Sequence, residues 1–366
     1  MIRTRAEVVE RIGDAAGQPH LWPPLLEEIA WIADCDGSTL VSVDADRNMR
    51  FFATPNLSAM VASFARDGWM ERDPRIAALL AQRPEGFVAD HDLLTRAQLV
   101  SDPFYTTVLR PNGGGWSVGA VVDCPSEPAV VLRCERAYER GPIGREVVQR
   151  LEQLRPHLAR SIRQSVRTAL ERMRATAAAL DLVGLAAAIV RPNGRPVAVN
   201  TSMHALGRTW IKSAFPRLTL ANPVADTALQ TALTRACSEE SGEGEMIPVA
   251  ASGPIAPSII QVLPLRGRVA DVFAPSASVV ILTPLERPAI PEAAVLQGLF
   301  DFTPAESRLA HAIGSGHSPR EAAEHLSISE ETARTVLKRV FAKMGISRQS
   351  DLIALLAGPT FRRSPP

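Results

Sequence analysis

The feature that most constrains this chain is a helix-start signal that occurs twice near its C-terminal end. Thr303-Pro304-Ala305-Glu306 and Ser318-Pro319-Arg320-Glu321 each set a hydroxyl before proline at the first helical position and glutamate at the third. The hydroxyl accepts from the third residue's N–H and the carboxylate accepts from the cap's own, so two orphan donors are satisfied reciprocally. Two such boxes predict two short helices in quick succession. Gly314-Ser315-Gly316 closes the first, since glycine enters the left-handed cap conformation without penalty, and the second ends near Leu326. Ser327-Ile328-Ser329 reads as a three-residue turn. Ser329 caps a third helix that runs to about Gly345, and Glu330-Glu331 suits the positive end of its dipole.

That third helix has two faces. Ala333, Leu337, Val340 and Met344 recur at helical spacing and form the expected buried stripe, with Phe341 beside them. Arg334, Thr335 and Lys338 point the other way. Arg334, Lys338, Arg339, Lys343 and Arg348 fall in a stretch without one acidic residue, and Lys338 and Lys343 are two of only three lysines in the chain. Such a face fits a major groove, where Arg and Lys donate to guanine edges or phosphates. The alternative is that these cations only solvate one side of a helical bundle.

The stretch from Phe302 to Leu356 resembles the LuxR-type helix-turn-helix of bacterial transcription regulators. The resemblance rests on the opening Thr-Pro-x-Glu, the glycine before the second helix, Ile328-Ser329-x-x-Thr332 at the entry to the third, and Lys343-x-Gly345-Ile346-Ser347 before a closing helix. It implies a four-helix unit that binds double-stranded DNA. It places DNA contacts on Arg334, Thr335 and Lys338. The basic stretch itself offers Arg339, Lys343 and Arg348 as further DNA-binding cations, Arg348 past Gly345 being placed for a phosphate. The sequence departs from the family at Val336, where histidine is frequent, and at Ala333, where valine is common.

Composition bears on where DNA binding must reside. A formal net charge of +1 over 366 residues provides no global field toward nucleic acid or anionic lipid, so binding depends on a local patch. The length allows two or three domains with their own cores. Cys35, Cys124, Cys134 and Cys237 show no CxxC spacing and are read as reduced thiols; no metal and no cofactor is assigned. Apolar runs such as Leu185 to Val190 fall far short of a membrane span, and a cytoplasmic protein without membrane contact is expected.

The first part of the chain alternates helix-like and strand-like stretches. A helix is expected over Leu25–Ala33, strands over Ser38–Val43 and Met49–Ala53 joined at Asp44-Ala45-Asp46, helices over Leu57–Arg66, Pro74–Gln82 and Pro103–Leu109, and strands over Trp116–Val122 and Ala129–Cys134. The order resembles GAF/PAS-like sensory domains, an antiparallel sheet covered by helices. Trp69 followed by Asp73-Pro74 is similar to the ligand pocket of acyl-homoserine-lactone receptors, which implies that Trp69 and Asp73 bind a small molecule. That family carries a tryptophan shortly after the pair. Here Arg83-Pro84-Glu85-Gly86-Phe87 has none, so a lactone is not the expected ligand. By ordinary physics Asp73 is also the cap of the helix begun by Pro74, and this reading stands beside the first.

From Ile143 to Leu180 an apolar stripe (Val147, Leu151, Leu154, Leu158, Ile162, Val166, Leu170, Met173) predicts a long helix, kinked or restarted at Pro156. It packs either on its own domain or against a second copy. A second sheet-rich region follows. Strands are expected over Ala186–Arg191, Pro196–Asn200, Met246–Ala250, Ser258–Leu263 and Ala277–Leu282, with a turn at Pro192-Asn193-Gly194 and a helix over Ala225–Ser238. This resembles a PAS fold. Pro284, Pro288 and Pro291 punctuate a linker.

The expected fold class is therefore α+β multidomain: two PAS/GAF-like antiparallel-sheet domains followed by an all-α four-helix LuxR-type helix-turn-helix domain. The expected boundaries are 1–142, a connecting helix 143–175, 176–286, a linker 287–298, and 299–358. Three functions compete. A DNA-binding transcription regulator with sensory front domains accounts for most of the chain. A DNA-binding scaffold would use those domains only to hold subunits together. An enzyme is disfavoured, because there is no P-loop, G-x-S-x-G, H-E-x-x-H or metal-spaced His/Cys cluster. The partners implied are double-stranded DNA, a second copy of the chain, a small-molecule ligand and RNA polymerase.

Overall fold

The computed structural model describes residues 5–43, 49–124, 129–236, 244–253, 255–265, 271–285 and 290–356. The turn at 44–46, Cys237, Ser238 and Pro288 lie outside them.

The first sheet contains β1 (Gly37–Val43), β2 (Met49–Ala53), β3 (Val88–Ala89), β4 (Gly115–Val122) and β5 (Ala129–Ala137). All pairings are antiparallel, in the order β2-β1-β5-β4-β3. Alternation along the strands separates two faces, because successive side chains point to opposite sides. Leu40, Val118, Ala120, Val130, Leu132 and Cys134 pack beneath helices Arg5–Asp14, Trp22–Ile32 and Arg155–Leu182. Val41 and Val43 turn to the other face, against Leu57, Phe64, Phe104 and Tyr105. Gly115 opens β4 where a Cβ would lie 2.4 Å from the Tyr138 Cα, so only glycine lets the strand pass.

The expected long helix appears as Arg145–Glu152 followed by Arg155–Leu182, the restart falling at Pro156 where the ring cannot continue the ladder. Its apolar stripe does not await a second copy. Leu151, Leu154, Leu158, Ile162 and Val166 are buried in the first domain's core, and Met173 and Ala177 lie under the second sheet. Of the two readings weighed for this stripe, packing within the same chain is the one observed.

The second sheet holds β6 (Ala186–Val190), β7 (Pro196–Val199), β10 (Glu245–Val249), β11 (Ser258–Pro264) and β12 (Ser278–Pro284), in the order β10-β11-β12-β6-β7. Between them β8 (Ile211–Ser213) and β9 (Thr219–Leu220) form a separate ladder. Read from its first strand, this sheet repeats the order of the first: second, first, fifth, fourth, third. Asn200 is 6% exposed and caps Thr201–Ala205 while bonding the backbone of Ala187, Leu185 and Ala177, so one amide joins β6, the long helix and the next helix.

The C-terminal unit has Pro304–Gly314, Pro319–His325, Glu330–Met344 and Gln349–Leu356, as its punctuation predicts. A fifth helix, Ala293–Phe300, takes up the second half of the expected linker. The run Ala-Ala-Val-Leu-Gln-Gly-Leu-Phe carries enough apolar surface to dock, and Leu296 is fully buried in the same core as Leu309, Ile313, Ala333 and Val340. Among the described residues, no helix is long and apolar enough to cross a membrane.

Candidate nucleic-acid interface and buried charge cluster

Both capping boxes form. Thr303 Oγ1 accepts from Glu306 N at 3.3 Å and Glu306 Oε2 from Thr303 N at 2.8 Å; Ser318 Oγ and Glu321 Oε2 do the same at 3.2 and 2.7 Å. Ser327, at φ 55°, turns the chain between the second and third helices, and Ser329 Oγ caps the third through Thr332 N at 3.1 Å. Gly345, at φ 67°, ends it.

Ala333, Leu337 and Val340 face inward, with Val336, Phe341 and Met344 packed partly against them. Arg334, Thr335, Lys338 and Arg339 are exposed on the rest of the helix, as is Arg348 at the entry to the closing one. Not all are equally free. Arg334 Nη2 meets Glu330 Oε1 at 2.7 Å, an i,i+4 pair at the surface, and Thr335 Oγ1 donates to Glu331 O. Lys343 is further committed: its Nζ bonds Asp301 O at 2.6 Å and Glu306 Oε2 at 2.8 Å. Hydrogen bonding from Lys343, then from the Thr303 backbone, pulls the Glu306 carboxyl below the usual range.

In the first domain Asp73 does cap its helix, with Oδ1 accepting from Arg75 N at 2.9 Å. It also belongs to a buried ionic ring. Arg75 Nε and Nη2 reach Asp73 at 2.9 and 2.8 Å, Arg75 Nη1 reaches Glu135 at 2.8 Å, and Arg133 bridges the same carboxylates at 2.8 and 2.5 Å. Two cations face two anions, so the ring is neutral and its members compensate one another's desolvation. Four donors occupy Asp73, which fills a carboxylate's acceptor capacity. Burial pushes its pKa up, yet Arg133 and Arg75 outweigh this and hold it well below the usual range. Arg75 is raised by Asp73 and Glu135 against the opposing effect of burial. Trp69, half-buried, lies 6.5 Å from the Phe104 ring, over which the Arg75 guanidinium sits at 4.8 Å. Trp69 and Asp73 thus flank one aromatic and one charged group.

Sequence reasoning missed Arg75, Arg133 and Glu135. The signal was available: Arg133 and Glu135 follow an apolar run in the same strand and stand two residues apart, hence on one face. Asp90 adjoins this ring, accepting from Ser117 N at 2.9 Å and Tyr105 Oη at 3.2 Å. Burial raises its pKa to about 6. Asp90 Oδ1, Arg133 Nε and Thr39 Oγ1 are buried without a hydrogen-bond partner among the described residues. Thr39 and Arg133 are cross-strand neighbours.

No family model matches the chain, and no curated protein does. Among solved structures it is similar to the VqsR LBD domain from Pseudomonas aeruginosa, at 15% identity and TM-score 0.36, over 44% of this chain and 96% of that one. It is similar to CepR2 from Burkholderia cenocepacia, an N-acylhomoserine-lactone-dependent LuxR-family transcription factor, at 13% identity and TM-score 0.35, over 43% and 91%. Escherichia coli SdiA aligns over 98% of both chains at 13% identity and TM-score 0.33. These likenesses are too distant to carry an argument about chemistry.

Proposed function

We propose that the chain is a sequence-specific DNA-binding transcription regulator whose two front domains sense a signal. The observation that carries this reading is the helix Glu330–Met344, which buries Ala333, Leu337 and Val340 while presenting Arg334, Thr335, Lys338 and Arg339 to solvent. In this reading Arg334, Thr335 and Lys338 contact base edges, and Arg339 and Arg348 contact phosphates. Lys343, bonded to Glu306 and Asp301, contributes by fixing the helix's angle. The repeated 2-1-5-4-3 strand order supports the PAS/GAF-like assignment of residues 1–142 and 176–286. The packing of Leu296 supports starting the DNA-reading unit near residue 290 rather than 299.

For the signal, the charged face of the first sheet is our candidate, with half-buried Trp69 beside it and Asp73 acting from within the ring by holding Arg75 and Arg133 in place. The unpartnered buried atoms of Asp90, Arg133 and Thr39 favour a small polar ligand over an acyl chain. The protein acts as a dimer, because one helix-turn-helix reads about a half-site. Binding isotherms on duplexes recovered by selection from a random pool test the central claim. Tight binding to a selected sequence and weak binding to its scrambled counterpart are expected. Equal affinity for both would refute sequence-specific reading.

A further inference from the structure

The second domain places an aromatic side chain inside the first. β11 and β12 stay paired as far as Leu265 N and Ala277 O, 2.9 Å apart, and residues 271–276, which lead into β12, lie beyond that last pair. There Val272 is 1% exposed and Phe273 is wholly buried, and both belong to the first domain's core cluster. The Phe273 ring lies 5.0 Å from Trp22 and 6.2 Å from Phe52, tilted by 56° and 74°. Such tilted and edge-on pairs are attractive beyond their buried area.

Polar groups hold the same loop. Arg50, on β2, donates through Nη1 to Ala274 O at 2.6 Å. Asp271 Oδ1 accepts from Phe273 N at 3.0 Å, bending the chain so that the ring points into the cleft. Burial pushes the Asp271 carboxyl above its usual range, opposed by the Phe273 N–H and by the charges of Arg50 and Arg172.

The two domains already share the helix Arg155–Leu182, which packs beneath both sheets. One attachment leaves a domain free to swing; a second sets the angle. Among the described residues the loop's grip rests mainly on Val272, Phe273 and the Arg50 bond, few side chains beside either core.

We propose that Asp271–Ala274 is an intramolecular ligand of the first domain, a latch in which Phe273 plugs the Trp22–Phe52 cleft and Arg50 grips the loop backbone. Seated, it makes the two sheet domains move as one; released, it lets the second domain turn about the shared helix.

Hydrogen exchange of the full chain, read by mass spectrometry, tests this in the wild type, Phe273→Ala, Arg50→Ala and the double variant. In Phe273→Ala the amides of Trp22–Ile32, Met49–Ala53 and β12 exchange about tenfold faster or more, while β4, β5 and the helices from Pro304 to Met344 keep wild-type rates. Arg50→Ala gives the same pattern more weakly, and the double variant adds little to Phe273→Ala, since both break one contact. Unchanged rates at Trp22–Ile32 and Met49–Ala53 would overturn the latch. So would equal acceleration of all strands of the first sheet, which would make Phe273 an ordinary core residue. Should Phe273→Ala fail to fold, Arg50→Ala decides alone by the same two patterns.

Discussion

Lys343 Nζ lies 2.8 Å from Glu306 Oε2, so the last turn of the basic helix is tied to the first turn of the helix that opens the unit. Glu306 is 5% exposed and closes the capping box with Thr303 at the same time. Lys343→Gln is expected to destabilise the C-terminal unit by about 1 kcal/mol, the lysine being partly solvated and its pairing screened. Because Glu306's folded pKa is depressed, its contribution is present above the ordinary glutamate value of 4.5 and is lost as pH falls below it. Denaturation of wild type and variant at pH 7 and at pH 3 checks both points: the difference between them should shrink at the lower pH.

Arg334 and Lys338 stand one turn apart on the exposed face, and Arg348 lies beyond Gly345. Arg334→Ala should cost about 1–3 kcal/mol on the preferred duplex and relax preference at particular base pairs. Arg348→Ala should weaken all sequences alike and reduce the salt slope by about one. Isotherms at several salt concentrations separate them. Equal loss for Arg334→Ala on specific and scrambled duplexes would move the reading of sequence elsewhere.

Removing one member of the Asp73–Arg75–Arg133–Glu135 ring strands a buried charge. Asp73→Asn and Arg75→Ala should each destabilise the first domain by about 3–5 kcal/mol. Chemical denaturation followed by tryptophan fluorescence measures it. A neutral effect of Asp73→Asn would mean that the ring is dispensable to the fold and would favour a ligand role for that carboxylate.

Asp90 behaves in the opposite sense. Its folded pKa, raised from 3.8 to about 6, gives a contribution fully present below 3.8 and lost as pH rises through 6, leaving a charged, buried carboxylate at neutral pH. Asp90→Asn should therefore raise stability at pH 7.5, by on the order of 2 kcal/mol, and by much less at pH 4. An amide can keep the bonds from Ser117 and Tyr105. Thermal melts at the two pH values decide it.

Sedimentation on and off a selected duplex is expected to give a dimer on DNA. The apolar stripe from Leu151 to Met173 is buried within one chain, so Leu158→Asp should unfold the protomer rather than produce a folded monomer. A folded, monomeric Leu158→Asp variant would return that stripe to the dimer interface.

What the sequence determined alone is local. Capping boxes, Pro156 and β-branched runs such as those of β4 and β5 act between residues a few positions apart, so the helices from Pro304 to Leu356, the restart at Arg155 and most strands could be placed without any tertiary contact. The basic face of Glu330–Met344 was legible for the same reason: helical period alone separates Ala333 and Leu337 from Arg334 and Lys338. Only the tertiary structure decided the rest. Asp73 meets Arg133 from 60 residues away, Lys343 meets Glu306 across 37, and Arg50 meets Ala274 across 224. No spacing rule reaches so far, because these partners are chosen by which strands pair and which helix covers them. That pairing buried Arg75 among aromatics, absorbed the long helix's stripe into one chain, turned the linker into a fifth helix over Leu296, and brought Phe273 against Trp22.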